Sequence, residues 1–376
     1  MALPALVFLA LVAFAAALAW SPHAARPAFL HLVLAVGAMP LIFGAMGHFI
    51  PVLTRTRRAP PALAAVPLLA LAGGALAVTS MHVPAFVWAR HAGALTAVIG
   101  AIALLAWSRR RRAGMLGRPH PGLAWYEAAL ACLILALIAI LVSAAWPQQT
   151  LSLRRLHLHL NTLGFIGLTA LGTLAVLLPT AVGRPDPGAG PRLSRSLPWV
   201  LGGTILVAAG AAWFAPLAWA GAIVWAVPLA WLAADWSRLY RAEIFAVHGP
   251  APLLAAAPVG FAVSLLSGAG APLFPVFAPE AAFVSGFLLP LVTGASTQLL
   301  PVWLRPGVQG AWHARLRSRL GRHGGTRAVL FGVAGVASGA GLGWGLLLGA
   351  AALLWFILQA VAALARGLVI EKELSP

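Results

Sequence analysis

Pro40-Leu-Ile-Phe-Gly44-Ala-Met-Gly-His-Phe-Ile-Pro51 is the stretch that organises this chain, because it returns twice. Leu168-Thr-Ala-Leu-Gly172-Thr-Leu-Ala-Val-Leu-Leu-Pro179 and Pro290-Leu-Val-Thr-Gly294-Ala-Ser-Thr-Gln-Leu-Leu-Pro301 carry the same glycine, six residues, and proline. The three prolines stand 128 and 122 residues apart in a chain of 376. Repetition at a third of the length points to three structural units. The first and third copies match best, since Gly44-Ala45 and Pro51-Val52 return as Gly294-Ala295 and Pro301-Val302, with Arg55 answered by Arg305. Glycine lets neighbouring helices approach, and proline loosens the last turn of the helix that carries it.

Each copy sits inside a long apolar run. The chain is 61% hydrophobic and 9% charged, too little charge to cover a water-soluble surface. Runs near 3–20, 29–53, 61–81, 84–107, 123–146, 156–182, 196–214, 216–238, 250–268, 280–304, 326–341 and 343–365 read as membrane-crossing helices. A hydrocarbon core of about 30 Å needs roughly twenty residues of helix, and lipid demands that a helix satisfy its own backbone. The Gly-x6-Pro segments then fall in the second, sixth and tenth spans. The expected fold is all-α: a polytopic membrane protein of about twelve transmembrane helices, built as three pseudo-threefold four-helix repeats. The repeats are expected at 1–121, 122–248 and 249–376 within one membrane domain.

The net charge of +18 does not indicate nucleic acid. The arginines lie in short connections and not on a folded patch. With the N-terminus on the cytoplasmic side, 21 of the 25 Lys and Arg fall in cytoplasmic loops and tails, including Arg109 to Arg112; the others are Arg26, Arg90, Arg154 and Arg155. That asymmetry places both termini in the cytoplasm of a bacterial-type inner membrane. One cysteine, Cys132, excludes an intrachain disulfide.

The histidines carry what chemistry the sequence offers. His31 and His159 occupy the same address in the first and second repeats, while the third has Ala281. His157 and Asn161 are four apart and share a helical face. His157 and His159 point roughly 200° apart on a regular helix, so a single cavity takes one of them unless the turn is irregular. Arg90-His91, six to seven residues after Pro84, is expected about 10 Å into the membrane, where charge marks function. Imidazoles on neighbouring helices at one depth suit haem b, copper, or both, so the metal-ligand candidates are His31, His157, His159 and His91. Arg154 and Arg155 are placed to pair with haem propionates. Interfacial anchoring and helix–helix hydrogen bonding are the plainer roles for the same side chains. No catalytic residue is identified.

Two stretches resemble a known family. Leu30-His31-Leu-Val-Leu-Ala-Val-Gly-Ala-Met39, ending in Thr54-Arg55, resembles helix segments of NnrS-type haem–copper membrane proteins and of the nitric oxide reductase branch. Arg155-Leu-His157-Leu-His159-Leu-Asn161-Thr-Leu-Gly164-Phe-Ile-Gly167 resembles the His-x-His-Leu-Asn helices of small oxidase-like proteins. The resemblance is to the haem–copper oxidase subunit I superfamily. It implies twelve helices in three arcs, with His31 as the second-span haem ligand and His157 or His159 as the sixth-span copper ligand. The tenth and seventh spans lack the family's histidines, so the expected role is redox sensing, NO handling or metal delivery and not oxygen turnover. A redox or membrane-protein partner would accompany it. The alternatives are a transporter or permease, against which a threefold repeat argues, and a non-catalytic membrane partner of a respiratory complex.

Overall fold

The computed structural model describes residues 3–21, 23 and 25–374. Met1 and residues 375–376, which the arginine count leads one to expect on the cytoplasmic side, lie outside the described residues. The protein is an all-α polytopic membrane protein, and no strand occurs among the described residues. Among the described residues, eleven helices are long and apolar enough to cross a membrane: α1 Leu3–Trp20, α2 Arg26–Thr54, α3 Pro61–His82, α4 Ala89–Ala113, α5 Gly122–Val142, α6 Pro147–Val182, α7 Ala189–Trp213, α8 Ala215–Leu239, α9 Ala251–Gly270, α10 Pro279–Leu304 and, within the last helix, Trp344–Arg366. Between α10 and that last helix, α13 (Trp344–Leu374), lie α11 (Ala311–Gly321) and α12 (Gly324–Gly339).

The expected span at 326–341 is therefore α12, which has 16 residues and a length of about 24 Å. The chain leaves it through Gly341, whose φ of 79° an L side chain rarely adopts. This brings the span-length helices to eleven. Other boundaries moved toward the basic residues. Arg110 to Arg112 form the last turn of α4, where cations complement the carbonyl end of the helix. Arg154 and Arg155 lie inside α6, and Arg192 and Arg195 lie in the opening turns of α7.

Contacts divide the chain into two compact units, one of Met1–Val176 with Asp186–Ala230, the other of Leu177–Pro185 with Trp231–Pro376. In the first unit α3 and α4 pack tightly, α4 leans on α5, and α5 lies against the middle of α6. α7 and α8 close on one another at Gly203 and Gly221, where a side chain at either would meet the other's carbonyl at 3.0 or 2.7 Å. In the second unit α9 packs on α10 and α12, and α11 lies along α10 and α13.

α2, α6 and α10, the three Gly-x6-Pro helices, share one irregularity. Each switches to π-helical hydrogen bonding, over Leu32–Ala38, Leu160–Gly167 and Phe283–Leu288. The segments begin 128 and 123 residues apart. Met39 and Leu289 donate their N–H groups to the carbonyls of Leu34 and Val284, five residues back. Proline gives a local reason in two of them. Pro40 and Pro290 stand two residues beyond their segments and cannot donate to the carbonyl four back, which favours a wider turn. At that place in α6 stands Thr169, whose hydroxyl donates to the Phe165 carbonyl at 2.6 Å.

Candidate metal-binding site

The π segments begin immediately after His31 in α2 and immediately after His159 in α6, so the two histidines hold equivalent positions. Their local geometry is the same. His31 Nδ1 lies 2.7 Å from the Pro27 carbonyl and His159 Nδ1 lies 2.8 Å from the Arg155 carbonyl, each one turn back. A carbonyl only accepts, so Nδ1 carries the proton and Nε2 keeps its lone pair. That is the tautomer of a metal-ligating imidazole oriented by a neighbouring hydrogen bond.

The ring brought to His31 is nevertheless that of His157. The two centroids are 6.2 Å apart, with ring planes 10° from parallel. His157 is steered from another helix, since its Nδ1 donates to the Ala136 carbonyl of α5 at 2.9 Å. α5 is held against the π segment of α6, where Gly164 lies so close that a side chain there would strike Cys132 at 2.6 Å. Asn161 completes the setting. Its Nδ2 donates to the His157 carbonyl at 2.8 Å and lies 3.3 and 3.4 Å from the two ring nitrogens. Near-equal distances to both nitrogens place the amide beside the ring and leave the Nε2 lone pair unclaimed by an in-line donor. Thr162 likewise donates to the Leu158 carbonyl at 2.9 Å. These side chains serve carbonyls at the entry of the π segment, where ordinary helical pairing is interrupted. Below the imidazoles, α2 and α6 meet again through Phe43 and Phe165, edge to face at 5.8 Å.

The other candidates sit apart from this pair or contribute differently. His91 is in the first turn of α4, not two turns into it, because Pro84–Phe86 forms a separate 3-10 turn and the helix starts at Ala89. Its Nε2 is buried without a hydrogen-bond partner, and Arg90 beside it is exposed. Arg154 and Arg155 are exposed on α6, one turn and less before His157. His82 donates from Nδ1 to the Val78 carbonyl at 2.8 Å and lies against Trp20, ring centroids 4.8 Å apart and planes tilted by 34°. Among the described residues, no three His, Cys, Asp or Glu side chains converge into a metal-holding group.

In α10 the residues aligned with His157 and His159 are Pro279 and Ala281. The space is taken by backbone. A side chain on Gly260 would meet the Gly286 carbonyl at 1.8 Å, and one on Gly286 would lie 3.0 Å from Gly335 Cα. The third Gly-x6-Pro helix is thus built for close packing, where the first two carry imidazoles.

A pair of imidazoles has limited but definite uses. A structural zinc would need four protein ligands. A haem iron, already held by four equatorial nitrogens, needs two, and a low-coordinate copper ion is satisfied by two. By number and type of donor, two imidazoles suit haem iron or copper better than a structural zinc. Compared with known proteins, the chain matches no family model and no curated sequence.

Proposed function

We propose that this protein is an integral inner-membrane metalloprotein of the haem–copper oxidase-like, NnrS-like kind, holding one haem iron or copper ion between His31 and His157. The observation that carries the reading is the near-parallel ring pair at 6.2 Å, with each ring donating its Nδ1–H to a backbone carbonyl. Haem or copper would supply one-electron chemistry. The chain's own part is to orient two imidazoles, through Pro27 and Ala136, and to surround them with apolar helix. Arg154 and Arg155, exposed beside His157, would take the propionates of a haem. His159 and His91 remain candidates for a second ligand set near the same end of the helices. With the arginine-rich loops taken as cytoplasmic, this end would face the outer side of the membrane. The role is redox sensing, NO handling or metal delivery, exercised with a redox partner.

The test is spectroscopic. Protein purified in mild detergent is expected to contain iron or copper near one equivalent. A haem-loaded sample shows a Soret band that collapses in His31→Ala and in His157→Ala and survives in His82→Ala. A colourless, metal-free protein that binds neither haem nor copper on reconstitution sinks the proposal.

A further inference from the structure

The second unit carries a strongly cationic helix, and among the described residues no ion pair with a carboxylate reaches it. α11, Ala311–Gly321, is only 11 residues long and is not a membrane span. Its inner face is fixed: His313, Leu316 and Leu320 are buried, the leucines in a cluster with Leu300 of α10 and Ala360 and Ala363 of α13. Its end is fixed as well. The Leu320 and Arg322 carbonyls receive the guanidinium of Arg327 at 2.9 and 3.0 Å, and Gln359 of α13 donates to the same two carbonyls. The helix is pinned along the ends of the spans and cannot roll.

What it presents outward is basic. Ala311, Arg315, Ser318 and Arg322 fall on one stripe, and all four are exposed. At its start, the Arg305 guanidinium stacks over Trp312 at 4.1 Å. In the connection before the helix, three residues after Arg305, Val308 is 97% exposed. Elsewhere arginines have acidic partners: Arg112 pairs with Glu127, Arg184 with Glu243 and Arg192 with Asp186. Between Glu280 and Glu371 the sequence has no Asp or Glu at all.

We infer that α11 is a seat for the headgroup of an anionic phospholipid, with Arg315 and Arg322 gripping the phosphate, Ser318 donating between them, and the apolar rim at Val308 meeting the acyl region. Guanidinium binds phosphate through paired, charge-assisted hydrogen bonds. An amphipathic basic helix fixed at the end of membrane spans offers them at headgroup depth. The inference is independent of the metal site.

Native mass spectrometry and thermal unfolding of the full chain, delipidated in neutral detergent, test it. Phosphatidylglycerol is expected to bind and to raise the melting temperature, while phosphatidylcholine does neither. The double variant Arg315→Gln/Arg322→Gln, whose side chains are exposed, should melt like the wild type without lipid and bind phosphatidylglycerol about tenfold more weakly. Equal phosphatidylglycerol binding by the variant would overturn the inference. So would full stabilisation by inorganic phosphate, which assigns the stripe to a free anion, or variant-sensitive binding of polyglutamate without any effect of lipid, which assigns it to an acidic protein.

Discussion

The imidazoles of His31 and His157 are 10° from parallel, although each is oriented by a different carbonyl, one in its own helix and one in α5. For a haem iron this angle has a spectroscopic consequence. On a haem iron, two imidazoles held in parallel planes would split the pair of d orbitals that overlap the ring π systems, whereas crossed planes would leave that pair nearly degenerate. The ferric, haem-loaded protein should therefore show a rhombic low-spin electron paramagnetic resonance spectrum. His157→Ala should convert it to high spin. A single highly anisotropic low-field feature in the wild type would mean that the rings are crossed, and the axial assignment to this pair would be withdrawn.

A buried ion pair opens α7. Asp186 accepts the Gly188 N–H at 2.9 Å and the Arg192 guanidinium at 2.8 Å, with only 2% and 8% of the two side chains exposed. Removing Asp186 takes the carboxylate away from a guanidinium held where little water reaches. Asp186→Ala should cost about 3–5 kcal/mol, read as a lower unfolding midpoint in a denaturing detergent series. Asp186→Ala/Arg192→Met should recover much of that loss. A midpoint unchanged in the single variant would show the pair to be solvated.

Most of the helices were legible because lipid imposes a crude rule: an uninterrupted apolar run of sufficient length. Their ends are not, because an arginine next to an apolar run carries the same mark whether its backbone is loop or helix. Arg110 to Arg112 extend α4, and Arg154 and Arg155 extend α6, since a long basic side chain can stay solvated while its backbone remains helical. The π segments left no mark on composition, because they change only which carbonyl an N–H reaches. Pro40 and Pro290 were the available signal for two of them. For the site, the repeat singled out His31 and His159 by their common address, and the structure keeps that equivalence in their matching hydrogen bonds. Which ring meets His31 depended on a contact from α5, the Ala136 carbonyl, and no spacing within α6 encodes it. The 200° separation of His157 and His159 did imply that they would diverge.

Glycine in this chain is not uniformly important, and two positions of the second unit separate the cases. At Gly260 a methyl group would be driven into the Gly286 carbonyl, 1.8 Å away, and backbone cannot swing aside. At Gly332 nothing lies within 4 Å. Gly260→Ala should lower stability by about 1–3 kcal/mol through overpacking, visible as a fall in melting temperature. Gly332→Ala should be neutral or slightly stabilising, because alanine favours helix. Equal effects at the two sites would contradict the close approach of α9 and α10.

His120 gives the fold a pH dependence whose sign is set by burial. It stands in the connection before α5, and its Nδ1 accepts the Gly122 N–H at 3.1 Å in the helix's first turn. Accepting that bond requires the neutral ring, and burial holds its pKa below the ordinary 6.5. A histidine that is harder to protonate when folded contributes its full stability above the unfolded value. As pH falls below 6.5 the unfolded chain takes up the proton first, and stability declines until the folded pKa is passed. Wild-type protein should therefore lose melting temperature between neutral and mildly acidic pH. His120→Asn can still accept from Gly122 through its amide oxygen and does not titrate, so its profile over the same interval should be flatter. Superimposable profiles would mean that His120 titrates identically folded and unfolded, and that the Gly122 N–H does not depend on the neutral ring.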